Sequence, residues 1–248
     1  MVWKAVVQRG HRRHIVRMGT YRTALIVGAG SGLSASLARL FAKNGMKVAL
    51  AARSVDKLST LAAETGAQLV ACDAAQETQV QALFAAVESG IGAPDVVVYN
   101  ASARARGPFV ELVAADVEKA IRISAFGGFL VAREAARRML PKGEGAIFFT
   151  GASASVKGYA QSAPFAMGKF ALRGLAQSMA RELSPRGIHV AHFVIDGGIR
   201  SERRAPQADR PDALLDPDAI ARTYLHVLQQ DRSAWTWEVE LRPWVENF

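Results

Sequence analysis

The stretch Thr23–Ser34, TALIVGAGSGLS, most constrains the fold because it joins an apolar run, a glycine-rich turn and the start of a helical pattern. Residues 24–27 are continuously apolar, which is typical of a central parallel strand covered on both faces. From Leu33 the apolar residues recur at helical spacing. The backbone amides at the start of such a helix favour a phosphate group. We therefore predict a strand, a phosphate-binding turn and a helix; the alternative is a turn in which glycine serves backbone geometry alone.

The rest of the chain alternates between apolar strand patterns and helical patterns. Further strands are predicted at 47–52, 68–72, 95–99, 146–150, 188–195 and 236–241, and further helices at 55–65, 77–88, 114–139, 163–183 and 218–230. This alternation predicts an α/β fold with a doubly wound parallel sheet of Rossmann type, about seven strands with helices on both faces. The segment 196–212 is polar and rich in arginine and proline, which predicts a loop over a site.

Composition places the chain among globular proteins with one domain, predicted to span residues 21–248. The single cysteine, Cys72, lies in an apolar run, where we expect it to be part of the core. One cysteine excludes an intrachain disulfide, so the expected location is cytoplasmic. No apolar run approaches the ~18 residues of a membrane span.

The net charge of +9 is concentrated near the amino terminus. The basic residues there are Lys4, Arg9, Arg12, Arg13 and Arg17, with no acidic residue in the first 20. We interpret residues 1–20 as a disordered extension that is not part of the domain; a targeting segment or a polyanion-binding segment are the alternatives. The remaining chain is only mildly basic, so no nucleic-acid partner and no membrane partner are expected.

Several short motifs follow the predicted strands in order. They are Gly28 and Gly32 with Ser34 after the first strand, Asp73 after the third, Asn100-Ala101 after the fourth, Phe165-Ala166-Met167-Gly168-Lys169 in a helix, and Asp196-Gly197 after the sixth strand. Together they resemble the short-chain dehydrogenase/reductase family, over residues 22–241. The resemblance implies a nicotinamide dinucleotide cofactor. It places cofactor contacts at Gly28, Ser31, Gly32, Leu33, Asp73, Asn100, Ala101, Lys169 and Ile199, with Asp73 near the adenine.

The choice of cofactor depends on the end of the second strand. Dinucleotide folds that select NAD place a carboxylate there, whereas a 2′-phosphate needs cations. This strand ends at Arg53, whose guanidinium could form a fork with a phosphate. We therefore predict NADP(H) in preference to NAD(H); in the alternative, Arg53 stacks on the adenine or is solvated.

The resemblance also implies a catalytic set of Tyr, Lys, Ser and Asn, and the chain departs from it. Phe165 stands at the tyrosine position, Ser124 at the asparagine position, and only Lys169 is retained, on the same helix face as Phe165. Ser153 is the nearest match to the serine, with Ala152 at the more usual offset. Tyr159 is the candidate to replace the lost hydroxyl. The alternatives are a solvated Lys169, a turn role for Ser153 and a packing role for Tyr159.

Two functions follow from this pattern. The first is an NAD(P)(H)-dependent oxidoreductase with atypical proton delivery, which reduces an activated C=C or C=O bond of a small molecule. The second is a catalytically silent NADP(H)-binding sensor or scaffold protein. Helices with several apolar faces predict a homodimer or homotetramer. His189 and His192 should point to opposite faces of a strand, so no metal site is expected. Arginines in two loops indicate either an acidic or phosphorylated substrate or solvated charge: Arg104, Arg106, Arg200, Arg203 and Arg204.

Overall fold

The central sheet of the computed structural model has seven parallel strands, which lie side by side in the order Gln68–Ala71, Lys47–Ala52, Thr23–Val27, Val96–Tyr99, Gly145–Thr150, Ile188–Ile195 and Glu238–Leu241. The structure describes residues 21–202 and 204–246. The strands are β1 (Thr23–Val27), β2 (Lys47–Ala52), β3 (Gln68–Ala71), β4 (Val96–Tyr99), β5 (Gly145–Thr150), β6 (Ile188–Ile195), the short pair β7 (Gly198–Ile199) and β8 (Leu214–Leu215), and β9 (Glu238–Leu241). The predicted seven-stranded doubly wound sheet is confirmed.

Helices cover both faces of this sheet, as the sequence predicts. They are α1 (Leu33–Lys43), α2 (Ser59–Thr65), α3 (Glu77–Ile91), α4 (Ala114–Ile121), α5 (Gly127–Met139), α6 (Ala163–Leu183) and α7 (Pro217–Leu228). One core lies between the sheet and α3, α5 and α6, and the other between the sheet and α1, α2 and α7. Residues of the central strands β1, β4, β5 and β6 therefore meet an apolar layer on either face, which explains their continuous apolar runs.

The strand order reverses between β1 and β4. From this point the chain builds β2 and β3 on one side and β5, β6 and β9 on the other. In open α/β sheets, ligands bind outside the carboxyl ends of the strands at such a reversal. The carboxyl ends of β1 and β4 are followed by Gly28 and Asn100, so the sheet brings two of the predicted cofactor contacts together.

The predicted helix 114–139 is not uniform. It consists of α4, a π-helical segment Arg122–Phe126, and α5. The Tyr99 hydroxyl donates a hydrogen bond to the Ile123 carbonyl, and buried Ser124 lies in the same segment. The segment is therefore stabilised by tertiary contacts that helical periodicity does not report.

The loop predicted at 196–212 needs correction, and the predicted extension lies outside the described residues. The loop predicted at 196–212 contains β7, which pairs with β8, so part of it is ordered as a small parallel sheet. The predicted disordered extension, residues 1–20, lies outside the described residues, as does Arg203.

Cys72 is buried, as predicted. Among the described helices, none is long and apolar enough to cross a membrane.

Candidate active site

A cleft of about 370 Å³ lies at the carboxyl ends of β1 to β4. Gly28 begins the turn after β1 with a φ of +85°, and a Cβ there would overlap the backbone of Ala101, at 2.5 Å from its Cα. Both reasons require glycine. In contrast, Gly30 and Gly32 have open space where a Cβ would stand. A side chain at either of these two positions would therefore meet no protein atom.

Ser34 ties this turn to β4, a role that the motif comparison does not reveal. The Asn100 side-chain amide donates to the Ser34 hydroxyl at 2.7 Å, and that hydroxyl donates to the Gly28 carbonyl at 3.3 Å. Ser34 is buried in the first turn of α1. The predicted contact residue Asn100 therefore holds the turn in shape as well as lining the cleft.

The amino end of α1 faces the same turn. Gly32 is the residue before the helix, no side chain caps it, and the first turn contains no acidic residue. Its backbone amides and positive dipole end therefore lack a protein anion and suit a pyrophosphate. The structure thus fits a dinucleotide at this position, and Ser31 and Leu33 lie beside these amides in the chain.

The end of β2 supplies cations to the cleft. Arg53, a predicted cofactor contact, lines it, and so does Lys57, which the sequence analysis does not single out. Among the described lining residues, the single carboxylate is that of Asp73, after β3, which accepts a hydrogen bond from the Ala75 amide at 3.0 Å.

Apart from the cofactor cleft, the candidate site contains a second group of side chains, centred on Lys169. Its side chain is buried, with 3 % exposed, and Nζ donates to the Thr150 carbonyl at 2.6 Å. Burial, followed by the charge of Arg104, lowers its pKa to about 7. Such a buried cation on an otherwise apolar helix face is not a solvated surface lysine.

Phe165 shares the helix face of Lys169, as the spacing predicts. Nζ of Lys169 lies 5.9 Å from the centre of the Phe165 ring. The guanidinium carbon of Arg104 lies 4.1 Å from the same ring centre. The ring is buried, so an apolar surface carrying no hydroxyl lies next to Lys169.

The remaining predicted catalytic residues lie in the loop after β5 and in the π-helical segment. Ser153 is half-buried at the start of a 3₁₀ turn, Ser153–Ser155. The Ser124 hydroxyl is buried and accepts from the Ala103 amide at 3.1 Å, so it holds the loop after β4. Tyr159 is 46 % exposed on the loop between β5 and α6. Ile199 lies half-buried in β7.

A buried polar chain lies behind this loop, which sequence reasoning missed. The Ser155 hydroxyl accepts from the Ala152 amide at 3.1 Å and lies 3.3 Å from His192 Nε2. His192 Nδ1 lies 3.1 Å from the Glu238 carboxylate, which also pairs with Arg173 at 2.6 Å. Burial lowers the pKa of His192 to about 4, so the ring is neutral. It then donates from Nδ1 to Glu238 and accepts at Nε2 from Ser155.

The two histidines of β6 differ in their surroundings. The His189 ring stacks on Trp235 at 4.5 Å between ring centres, whereas His192 bonds to Ser155 and Glu238. The predicted opposite orientation is what the contacts show. Within 21–202 and 204–246, no group of three His, Cys, Asp or Glu side chains is arranged to hold a metal ion.

Comparison with known proteins extends these observations. Residues 22–211 match the family described as short chain dehydrogenase. The chain is 36 % identical over 187 residues to (+)-borneol dehydrogenase 1 of Salvia officinalis, covering 72 % of this chain and 71 % of the relative. It is 32 % identical over 204 residues to the cyclic-di-GMP-binding biofilm dispersal mediator protein of Escherichia coli, covering 82 % and 84 %.

Solved structures show the same relationship. A short-chain dehydrogenase from Rhodopseudomonas palustris has 38 % identity and a TM-score of 0.78, over 90 % of this chain and 99 % of the other. A metagenomic short-chain oxidoreductase in complex with NADP has 27 % identity and a TM-score of 0.77, over 90 % and 97 %. With the Rossmann-type sheet, the glycine turn and the matched family, this chain belongs to the short-chain dehydrogenase/reductase family of oxidoreductases.

Proposed function

We propose that the protein is an NADP(H)-dependent oxidoreductase that works without an active-site tyrosine and reduces an activated C=C or C=O bond of a small molecule. The observation that carries the proposal is the buried Lys169, bonded to the Thr150 carbonyl, beside the hydroxyl-free ring of Phe165. Their spacing is that of the family's Tyr-x-x-x-Lys motif, with phenylalanine at the tyrosine position.

The preference for NADP(H) is supported by the cations Arg53 and Lys57 in the cleft and by the NADP complex of the metagenomic relative. The α1 amides near Ser31, Gly32 and Leu33 would hold the pyrophosphate, with Asp73, Asn100, Ala101 and Ile199 along the rest of the dinucleotide. Lys169 would bind the nicotinamide ribose. When bound, the cofactor supplies or accepts a hydride.

Proton delivery is where this chain differs. A positioned general acid contributes ~10² to 10⁴ in rate, and Phe165 has no proton to give. Lys169 Nζ, with a pKa of about 7, releases a proton near neutral pH. Ser153 and Tyr159 are the hydroxyl candidates in the adjoining loop. Reduction of an activated C=C bond, or carbonyl reduction with water as the proton donor, depends less on a phenol at position 165.

The protein is also proposed to form a homodimer or homotetramer in the cytoplasm. Large apolar side chains are exposed on α6 and near the start of α5: Phe126, Phe129, Met167 and Phe170. An exposed aromatic face of this kind is typical of an interface. Size-exclusion chromatography with light scattering tests this, and a 26.6 kDa monomer at micromolar concentration would contradict it.

The test of the function has two stages. Fluorescence titration with NADPH and NADH measures binding, and NADPH consumption is then followed with enals, enones and ketones. We expect NADPH binding, turnover of at least one enal or enone, and slow ketone reduction that Phe165→Tyr accelerates. No affinity for either dinucleotide would refute the proposal. Binding without turnover of any acceptor would instead favour the silent sensor or scaffold.

A further inference from the structure

A second cleft, of about 460 Å³, adjoins the cofactor cleft and shares Arg53 with it. Its charged lining residues are Arg53, Arg104, Arg106, Lys119 and Asp116. Four are therefore cations and one is a carboxylate. Such an excess of one charge in a concave site concentrates the field on a ligand of the opposite sign.

Arg104 occupies the position in this cleft that is next to the reaction site. Its guanidinium lies over the Phe165 ring, with the guanidinium carbon 4.1 Å from the ring centre. A planar guanidinium can stack on an aromatic ring and still donate hydrogen bonds to an anion. Burial and the charges of Arg106 and Arg204 lower the pKa of Arg104, so three like charges lie near one another. Arg104 and Lys169 both lie near the Phe165 ring, at 4.1 Å and 5.9 Å from its centre, so this group of arginines adjoins Lys169.

No carboxylate of the described residues lies within 4.0 Å of Arg104, Arg106 or Arg204. Arg200, in the same region, is different because it pairs with Asp216 at 2.6 Å. The attraction of a cation to an aromatic ring is weak at an exposed site and does not by itself offset the repulsion between like charges gathered here.

We propose that the substrate carries an anionic group, a carboxylate or a phosphate, that binds Arg104 and Arg106, with Arg204 adding its charge from the segment after β7. This deepens the proposed function, on which it rests, because it names the substrate class for the same site. A planar guanidinium forms paired charge-assisted hydrogen bonds with either anion. The substrate's reacting bond then lies a short distance away, next to Lys169 and Phe165.

The test compares matched probes that differ in charge: pentanoate, pentyl phosphate and the neutral pentanamide. Dissociation constants are measured by calorimetry and saturation-transfer NMR at low ionic strength, with and without saturating NADPH. We expect one anion to bind at least about tenfold more tightly than the amide in the NADPH-loaded protein. Whether pentanoate or pentyl phosphate shows the larger preference identifies the anion.

Arg104→Gln and Arg106→Gln should each remove most of this preference while the fold persists by circular dichroism. Arg186→Gln is the matched control: Arg186 is exposed, lacks an ion pair with any described residue and lies at the opposite end of the sheet, just before β6. It should keep the preference unchanged.

Three results would overturn the inference. They are equal or undetectable binding of all three probes to wild type, a preference that survives in both Arg104→Gln and Arg106→Gln, and a preference that saturating NADPH abolishes. The last would assign the arginines to a cofactor phosphate. Failure of the proposed function is distinguishable, because it appears as absent NADPH binding on the same sample while anion selectivity of the free protein persists.

Discussion

The site has two halves that the sequence encodes in different ways. The cofactor half, at the ends of β1 to β4, consists mainly of backbone: the Gly28 turn, its tie through Ser34 and Asn100, and the amides of α1. The reaction half, around Lys169, depends on individual side chains. A turn made of backbone atoms tolerates most side-chain substitutions except at a few glycines. The chemistry of a reaction site, in contrast, changes when a single hydroxyl is lost. The proposed function follows this division: it assigns a dinucleotide to the cofactor half, and it assigns the departure from the family's Tyr-x-x-x-Lys motif to Phe165 in the reaction half.

The largest effect is expected at the turn of the cofactor half. Gly28→Ala should lower the free energy of unfolding by about 3 kcal/mol or more and abolish NADPH binding, because its Cβ meets the Ala101 backbone at a positive φ. Urea unfolding and NADPH fluorescence measure both effects. Gly30→Ala is the control, since its Cβ enters open space, and its stability should change by less than about 0.5 kcal/mol. Equal stability of the two variants would contradict the steric argument.

The burial of Lys169 in the reaction half should make the stability of the protein depend on pH. The folded pKa of Lys169, about 7, lies below its ordinary value of 10.5, so the unfolded chain binds more protons between these values. The free energy of unfolding of the cofactor-free protein should therefore rise with pH above 7. Between about pH 7 and about pH 9, the free energy of unfolding of the wild type should increase by about 2 kcal/mol more than that of Lys169→Met. Urea unfolding across this range measures it.

The matched control for that series is Lys47→Met, at the exposed first residue of β2. It should keep the wild-type slope of stability against pH. If Lys169→Met shows the same slope as wild type, Lys169 is not the group that titrates in this window.

Arg53 tests what the cofactor half selects. Arg53→Asp should weaken NADPH binding about tenfold, which is about 1.4 kcal/mol, and strengthen NADH binding, because a carboxylate repels the 2′-phosphate and accepts from the ribose hydroxyl. Fluorescence titration with both dinucleotides measures the ratio of affinities. Arg186→Asp makes the same charge change at the opposite end of the sheet and should leave that ratio unchanged. An unaltered ratio in Arg53→Asp would leave Arg53 outside the 2′-phosphate site.

The sequence predicts the features that depend on local patterns, and it does not predict those that depend on contacts between distant residues. The strand β6 and the helix α6 have the predicted bounds because apolar periodicity and the Pro185-Gly187 stop signals are local. The helical periodicity does not predict the π-helical segment, because its stabilising contacts come from distant positions: the Tyr99 hydroxyl bonds to the Ile123 carbonyl, and the Ala103 amide bonds to the Ser124 hydroxyl. The roles predicted for Ser153 and Tyr159 stay predictions, since the position of a hydroxyl relative to a substrate depends on loop shape.

The Ser155 chain is the clearest case of information that local patterns lack. Ser155 and His192 are 37 residues apart, and His192 and Glu238 are 46 apart, on three different segments of the chain. Only the parallel pairing of β6 with β9 places the histidine next to the carboxylate. No spacing rule within one helix or strand predicts such a contact.

The smallest expected effect distinguishes the two serines of the loop after β5. Ser155→Ala should lower the free energy of unfolding by about 1 kcal/mol, because the Ala152 amide loses its acceptor and His192 Nε2 loses its donor. Ser153→Ala should leave stability within about 0.5 kcal/mol, since its half-buried hydroxyl has no hydrogen bond to a described residue. Turnover of the best acceptor separates their roles: a catalytic Ser153 lowers kcat in Ser153→Ala without loss of stability. If Ser153→Ala is instead the less stable variant, it is Ser153 and not Ser155 that holds the loop.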